Sequence, residues 1–255
     1  MYEKKIHIKR DNITLNGMLF IPTSEKPYLA VIIAHGLPSI PLPVEEKGYD
    51  ILGRKIAALG VVSIIFNFSG CKGSGGFFSI QNWVKDLEIV SEYIGNLKEV
   101  ALSQIAYLAF SMGTIPTIYL VAHQDQASKL YPKFLIICAC PANLSDARLK
   151  DLRLGIHLTS QTGGIQIKKD YDKEILSEFK EYMPIRWIAH ISSPKFILHG
   201  GNDDLINVKN AHDLYEKAKD PKELIILKNA GHKLRQDQSA LHKIFEIIKK
   251  NIKFQ

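Results

Sequence analysis

The chain has 255 residues, 46% of them apolar and 23% charged, which suits one large core or one core with a small insertion and is ordinary for a soluble globular protein. No run of about 18 apolar residues is present, so no membrane span is expected, and residues Met1 to Arg10 alternate charged with apolar side chains and lack an apolar signal core, so a cytoplasmic location is expected. The net charge of +7 comes from lysines scattered along the chain, without the dense block or aromatic-basic interleaving of a nucleic-acid surface, so a solvated basic surface and no nucleic-acid partner are expected.

Ile6, Ile8, Ile13, Leu15 and Leu19-Phe20-Ile21 alternate with polar residues about Asp11-Asn12, which predicts an antiparallel hairpin at a sheet edge. Leu29 to Ala34 is continuously apolar, as in a strand buried on both faces. It ends in His35-Gly36-Leu37-Pro38 and a proline-studded loop to Pro43. Glu45 to Leu59 reads as a helix closed by Gly60. Val61 to Phe66 is a second buried strand, running into the glycine- and serine-rich stretch Asn67 to Gly76. A phosphate loop is not indicated there: the Gly-Lys-Ser/Thr ending is absent and no helix opens within the stretch. Ile80, Trp83, Val84, Leu87, Val90, Ile94 and Leu97 repeat at helical spacing.

Ile105 to Phe110 is an apolar run of strand length, and a helical pattern to about His123 follows Ser111-Met112-Gly113 directly. Further strands are expected at Phe134 to Ala139, Pro194 to Leu198 and Glu223 to Leu227, with helices at Asn207 to Ala218 and Ala240 to Ile252. Cys71, Cys138 and Cys140 are an odd set without metal-ligand spacing; Cys138 and Cys140 share a strand face and pack as small apolar residues. No metal or cofactor is expected. The alternation specifies an α/β fold: a mostly parallel central sheet of about eight strands with helices on both faces. Residues 142–190 form too long a connection for a compact domain. They are read as a small cap insertion between core segments 1–141 and 191–255, lying over the C-terminal edge of the sheet, where ligands of such sheets bind. Within it, Ile156 to Leu158 and Ile165 to Ile167 flank Thr162-Gly163-Gly164 as a hairpin, and Lys173 to Tyr182 as a helix.

Strand, sharp turn with a serine at its apex, then helix is the geometry of a nucleophile elbow, with Ala109 and Gly113 as its small flanking residues. Ser111 alone would equally suit a helix N-cap. The loops after the last two strands add His199-Gly200-Gly201-Asn202-Asp203-Asp204 and Lys228-Asn229-Ala230-Gly231-His232 at the same sheet edge. Serine, acid and histidine thus follow in the order of an elbow-type triad, with Asp203 or Asp204 as the acid.

With these residues in place, the chain resembles the α/β-hydrolase family over nearly its full length. His35-Gly36 is similar to that family's oxyanion loop, Asn67 to Ser74 to its Asp/Asn-x-Arg-Gly-x-Gly-x-Ser turn with Ser69 in place of arginine, His199-Gly200-x-x-Asp203 to its acid motif, and Gly231-His232 to its histidine motif. The inserted cap looks most like those of cinnamoyl or feruloyl esterases and dienelactone-hydrolase relatives. The resemblance implies Ser111 as nucleophile, His232 as proton shuttle, Asp203 as its orienting acid, and the backbone N–H groups of Leu37 and Met112 as the oxyanion hole. It implies structural roles for His35 and His199. Phe77, Phe78 and Trp187 are candidates to line an acyl or aryl pocket, against the plainer reading of ordinary core.

The expectation is a serine carboxylesterase whose partner is a small-molecule ester of a small to medium acyl or aryl acid; a homodimer is left open. A peptidase of prolyl-oligopeptidase type and a C–C bond hydrolase use the same triad, and a binding protein could keep the fold without turnover.

Overall fold

A computed structural model of the protein describes residues 1–23, 28–38, 48–171 and 174–252. The apolar run at Leu29 forms β3 (Tyr28–Ala34), and all 7 of its residues are buried. Ala30, Ile32 and Ala34 feed one core, while Leu29, Val31 and Ile33 feed another on the opposite face. Two cores on one strand explain why its sequence is apolar throughout rather than alternating.

Around β3 lies an 8-stranded sheet of order β1-β2-β4-β3-β5-β6-β7-β8. β1 (Tyr2–Arg10) and β2 (Ile13–Ile21) form the expected antiparallel edge hairpin. β2 also pairs antiparallel with β4 (Val62–Phe66). From β4 onward, β3, β5 (Val100–Phe110), β6 (Leu135–Cys138), β7 (Lys195–Gly200) and β8 (Lys222–Leu227) are parallel neighbours. All of these strands therefore end at one edge of the sheet.

Helices cover both faces. α1 (Gly48–Ala57) and α8 (Gln238–Ile252) bury Leu52, Ile56, Leu241 and Ile244 in the core with Leu29. α2 (Ile80–Gly95), α3 (Thr114–His123) and α7 (Lys209–Lys217) bury Trp83, Leu87, Ile118 and Leu214 in the other. Gly60, at φ +89, closes the chain after α1 as its sequence position suggests. The proline-studded loop to Pro43, the helix start at Glu45, and Lys173 lie outside the described residues. Among the described residues no helix is long and apolar enough to cross a membrane.

Residues 142–190 hold α4 (Asp146–Gln161), α5 (Ile175–Glu181) and α6 (Pro184–Trp187). The hairpin expected across Thr162-Gly163-Gly164 is corrected: Ile156 to Leu158 belong to α4. Helix wins because Ser145 caps its N-terminus by accepting from the Arg148 N–H at 3.4 Å. Leu149, Leu152, Ile156 and Thr159 also share one helical face, turned into the protein. Gly163, at φ +75, follows its end. Ile165 then makes an antiparallel bridge to Cys71, tying the segment to the turn after β4.

Candidate active site

β5 delivers Phe110 and then breaks sharply: Ser111 has φ 48, a left-handed value rare outside glycine. A 3-10 turn, Ser111–Gly113, leads into α3. A Cβ on Gly113 would lie 2.4 Å from the His35 carbonyl oxygen, so the turn presses its backbone against the end of β3. Thr114 Oγ1 and Thr117 Oγ1 donate to the carbonyls of Ser111 and Gly113, at 2.6 and 2.7 Å. These contacts hold the serine in a conformation it would not choose alone.

The loops after β7 and β8 bring the two partners. Ser111 Oγ lies 3.0 Å from His232 Nε2, and His232 Nδ1 lies 2.8 Å from Asp203 Oδ2. With Asp203 accepting, Nδ1 carries the proton and Nε2 is free to accept from the hydroxyl. The Asp203 side chain is out of solvent, and its Oδ1 accepts the N–H groups of Leu205 and Ile206 at 3.0 and 2.8 Å. His199 Nε2 stands 3.2 Å from Oδ2. Burial pushes this carboxyl up, but bonds from His199, His232 and Ile206 outweigh it and hold the group well below the usual carboxylate range. Asp204, the other candidate acid, is exposed on the cavity wall.

Beside the serine runs His35-Gly36-Leu37. His35 Nε2 accepts the Phe68 N–H at 3.2 Å, and the opposite ring nitrogen contacts the Gly36 carbonyl at 2.6 Å. Burial, opposed by the Gly36 carbonyl and aided by the Arg235 charge, lowers the imidazole pKa to about 4. His35 is thus a neutral brace between two loops, the structural role that the family resemblance implies. The turn after β4 is clamped in turn: Asp86 Oδ2 accepts from Ser69 N and Oγ at 2.7 and 2.6 Å, while Oδ1 meets Arg10 Nη1 at 2.6 Å.

Ser111 and His232 open into a cavity of about 1400 Å³ that Leu37, Met112, Tyr49 and Leu205 also line. Phe77, Phe78 and Trp187 are not brought to it. Phe78 is buried edge-on against Trp83 and Tyr171, Phe77 is exposed, and Trp187 packs on Tyr119 and His123 of α3. Phe78 is ordinary core and Trp187 packs half-buried against that core, whereas Phe77 is neither core nor cavity wall. Tyr49 and Leu205 are among the wall residues that sequence reasoning missed; for Tyr49, its place in the first turn of the helix after the His35-Gly36-Leu37 loop was the available signal.

Comparison with known proteins supports the same architecture. The family model described as PhoPQ-activated pathogenicity-related protein matches residues 164–254, less than half of the chain. An uncharacterized Mycobacterium tuberculosis protein is 22% identical over 223 residues, spanning 88% of this chain and 69% of that one. The crystal structure of the α/β hydrolase GrgF from Penicillium sp. superposes with a TM-score of 0.72 at 17% identity, over 100% of both chains. The chain has the α/β-hydrolase fold. Within that fold a second similar structure, Est1E of Butyrivibrio proteoclasticus with ferulic acid bound, gives a TM-score of 0.73 at 17% identity over 98% of each chain. The α/β-hydrolase sheet accounts for how Ser111 and His232, 121 residues apart, meet: β5, β7 and β8 run parallel and release their loops at one edge.

Proposed function

We propose that the protein is a serine hydrolase cleaving carboxylic esters of small to medium acyl or aryl acids, a reading in keeping with the aryl acid bound to the similar Est1E. The observation that carries the reading is the unbroken relay Ser111–His232–Asp203, with contacts of 3.0 and 2.8 Å. Ser111 Oγ attacks the ester carbonyl while His232 Nε2 takes its proton, and Asp203 stabilises the imidazolium that forms. The N–H groups of Leu37 and Met112 receive the oxyanion; one such donor is worth roughly 3 kcal/mol of barrier. Collapse expels the alcohol with the proton from His232 and leaves an acyl group on Ser111. Water, deprotonated by the same imidazole, then releases the acid. Residues 142–190, which supply cavity residues such as Leu144 and Leu152, act as the cap that shapes the acyl site.

The test is a panel of p-nitrophenyl esters of graded acyl length, including aryl acids, with fluorophosphonate labelling alongside. Ser111→Ala should lose about six orders of magnitude in kcat and all labelling. Equal hydrolysis by parent and variant would sink the reading.

A further inference from the structure

Three segments of the site meet on one side chain. Tyr49 Oη accepts the Gly36 N–H at 3.3 Å. Its ring stands edge-on to Phe110, the residue before Ser111, at 5.8 Å, and tilted to His35 at 5.9 Å. The Arg235 guanidinium, from the turn that follows His232, lies over the ring, 5.0 Å from its centroid. Tyr49 therefore touches the end of β5 just before the serine, the loop carrying Leu37 and the loop carrying the histidine. Burial raises its phenol far above the ordinary value, so the ring stays neutral.

The two peptide planes around Gly36 are held separately. The 35–36 plane is fixed through its N–H by Tyr49, and the 36–37 plane through its carbonyl by His35. A trans peptide points its N–H opposite its carbonyl, so fixing the Gly36 carbonyl also aims the Leu37 N–H. Glycine supplies little stiffness of its own. Without the phenol oxygen, the first plane is free to swing and the second is held by the His35 contact alone.

We propose that Tyr49 is a positioning residue that holds the Gly36–Leu37 peptide in register with Ser111 and His232; this rests on reading Leu37 N–H as an oxyanion donor. Its influence is felt where negative charge develops, not where ground-state substrate or product binds.

Tyr49→Phe keeps the ring and removes only the acceptor. The probe is a trifluoromethyl ketone, to whose carbonyl Ser111 Oγ adds while its proton passes to His232, leaving an oxyanion in the hole. The expected result is a fall of about tenfold in both kcat and ketone affinity, with KM, affinity for the product acid and the pH midpoint of kcat/KM unchanged. A merely structural role would lower Tm and leave the ratio of ketone to product affinity unmoved, and that result overturns the inference. Should Tyr49→Phe fail to fold, the same ratio is read on Arg235→Gln, where a severalfold drop is expected and no change overturns it. A parent protein that neither binds the ketone nor cleaves esters would instead refute the proposed function.

Discussion

Replacing Gly36 by alanine tests how closely the oxyanion-type loop and the serine are fitted. A Cβ at this position would meet Ser111 Cβ at 3.0 Å, the Phe110 carbonyl at 3.2 Å and Ser111 Oγ at 3.5 Å. Ordinary contacts begin near 3.4 Å, so a few tenths of an ångström must be found. Ser111 has little to give, since its φ of 48 is already forced and Gly113 is jammed against His35. The shift therefore enters the 3.0 Å contact to His232 or displaces the Leu37 peptide. A misplacement of about 1 Å costs on the order of a hundredfold in rate, so roughly half that predicts about tenfold in kcat. Overpacking costs about 1–3 kcal/mol, partly offset by about 0.4–1 kcal/mol from a stiffer unfolded chain. Steady-state kinetics on a p-nitrophenyl ester, with thermal melts, read both quantities. A Gly36→Ala protein with parental kcat would refute the argued fit of loop to serine.

Asp203→Asn should lower kcat by about 10⁴-fold, by favouring the wrong tautomer of His232. Because the folded pKa of Asp203 is depressed, its contribution to stability is complete above the ordinary carboxylate value and disappears as pH falls through the folded one. Urea unfolding between pH 7 and pH 3 should accordingly show a smaller acid loss in Asp203→Asn than in the parent. Arg10→Met strands the buried Asp86 carboxylate, at a cost of about 3–5 kcal/mol. Burial, against Ser69 and Arg10, already raises Asp86 to about 6. The folded state thus holds a proton that the unfolded state releases, stability falls as pH rises through that window, and the variant's deficit should be smaller at pH 5 than at pH 8 by denaturant titration. Gly155→Ala, in α4 with nothing within 4 Å of the new Cβ, should gain about 0.5–1 kcal/mol and raise Tm by about 1–4 °C.

The mostly parallel sheet and the meeting of Ser111, Asp203 and His232 at its edge were legible for one reason. Buried parallel strands must be apolar throughout, so Leu29, Val61, Ile105 and Phe134 announce them, and each such strand ends at a known edge. Serine, acid and histidine then need only be sought in the loops that leave it. What was not legible concerns which way a side chain faces after the strand has ended. Phe77 and Phe78 follow the turn after β4 by sequence, yet the Phe78 N–H is bonded to Gln166 at 2.7 Å and its ring turns inward to Trp83. Trp187 sits in the segment expected to cover the site, but its indole N–H donates to Glu181 at 2.8 Å and its ring packs behind, on α3. Local composition misread α4 for the same reason: Ile156-His157-Leu158 has strand character, and only the longer spacing from Leu149 to Thr159 reveals a helix.

The departure from glycine at position 109 has an explanation in the same geometry. Ala109 pairs in register with Ala34 of β3, and both side chains are fully buried in one core. A methyl group is accommodated there because the neighbouring strand presents another methyl. Gly113 has no such latitude: a Cβ would meet the carbonyl oxygens of His35 and Ala34 at 2.4 and 2.7 Å, and a backbone cannot yield as a side chain does. The elbow's need for small residues is therefore unequal on its two sides. It is strict where helix backbone crosses strand backbone, and relaxed where two side chains meet within the sheet. That inequality lets Ala109-Phe110-Ser111-Met112-Gly113 make the sharp turn with glycine at only one of the two positions.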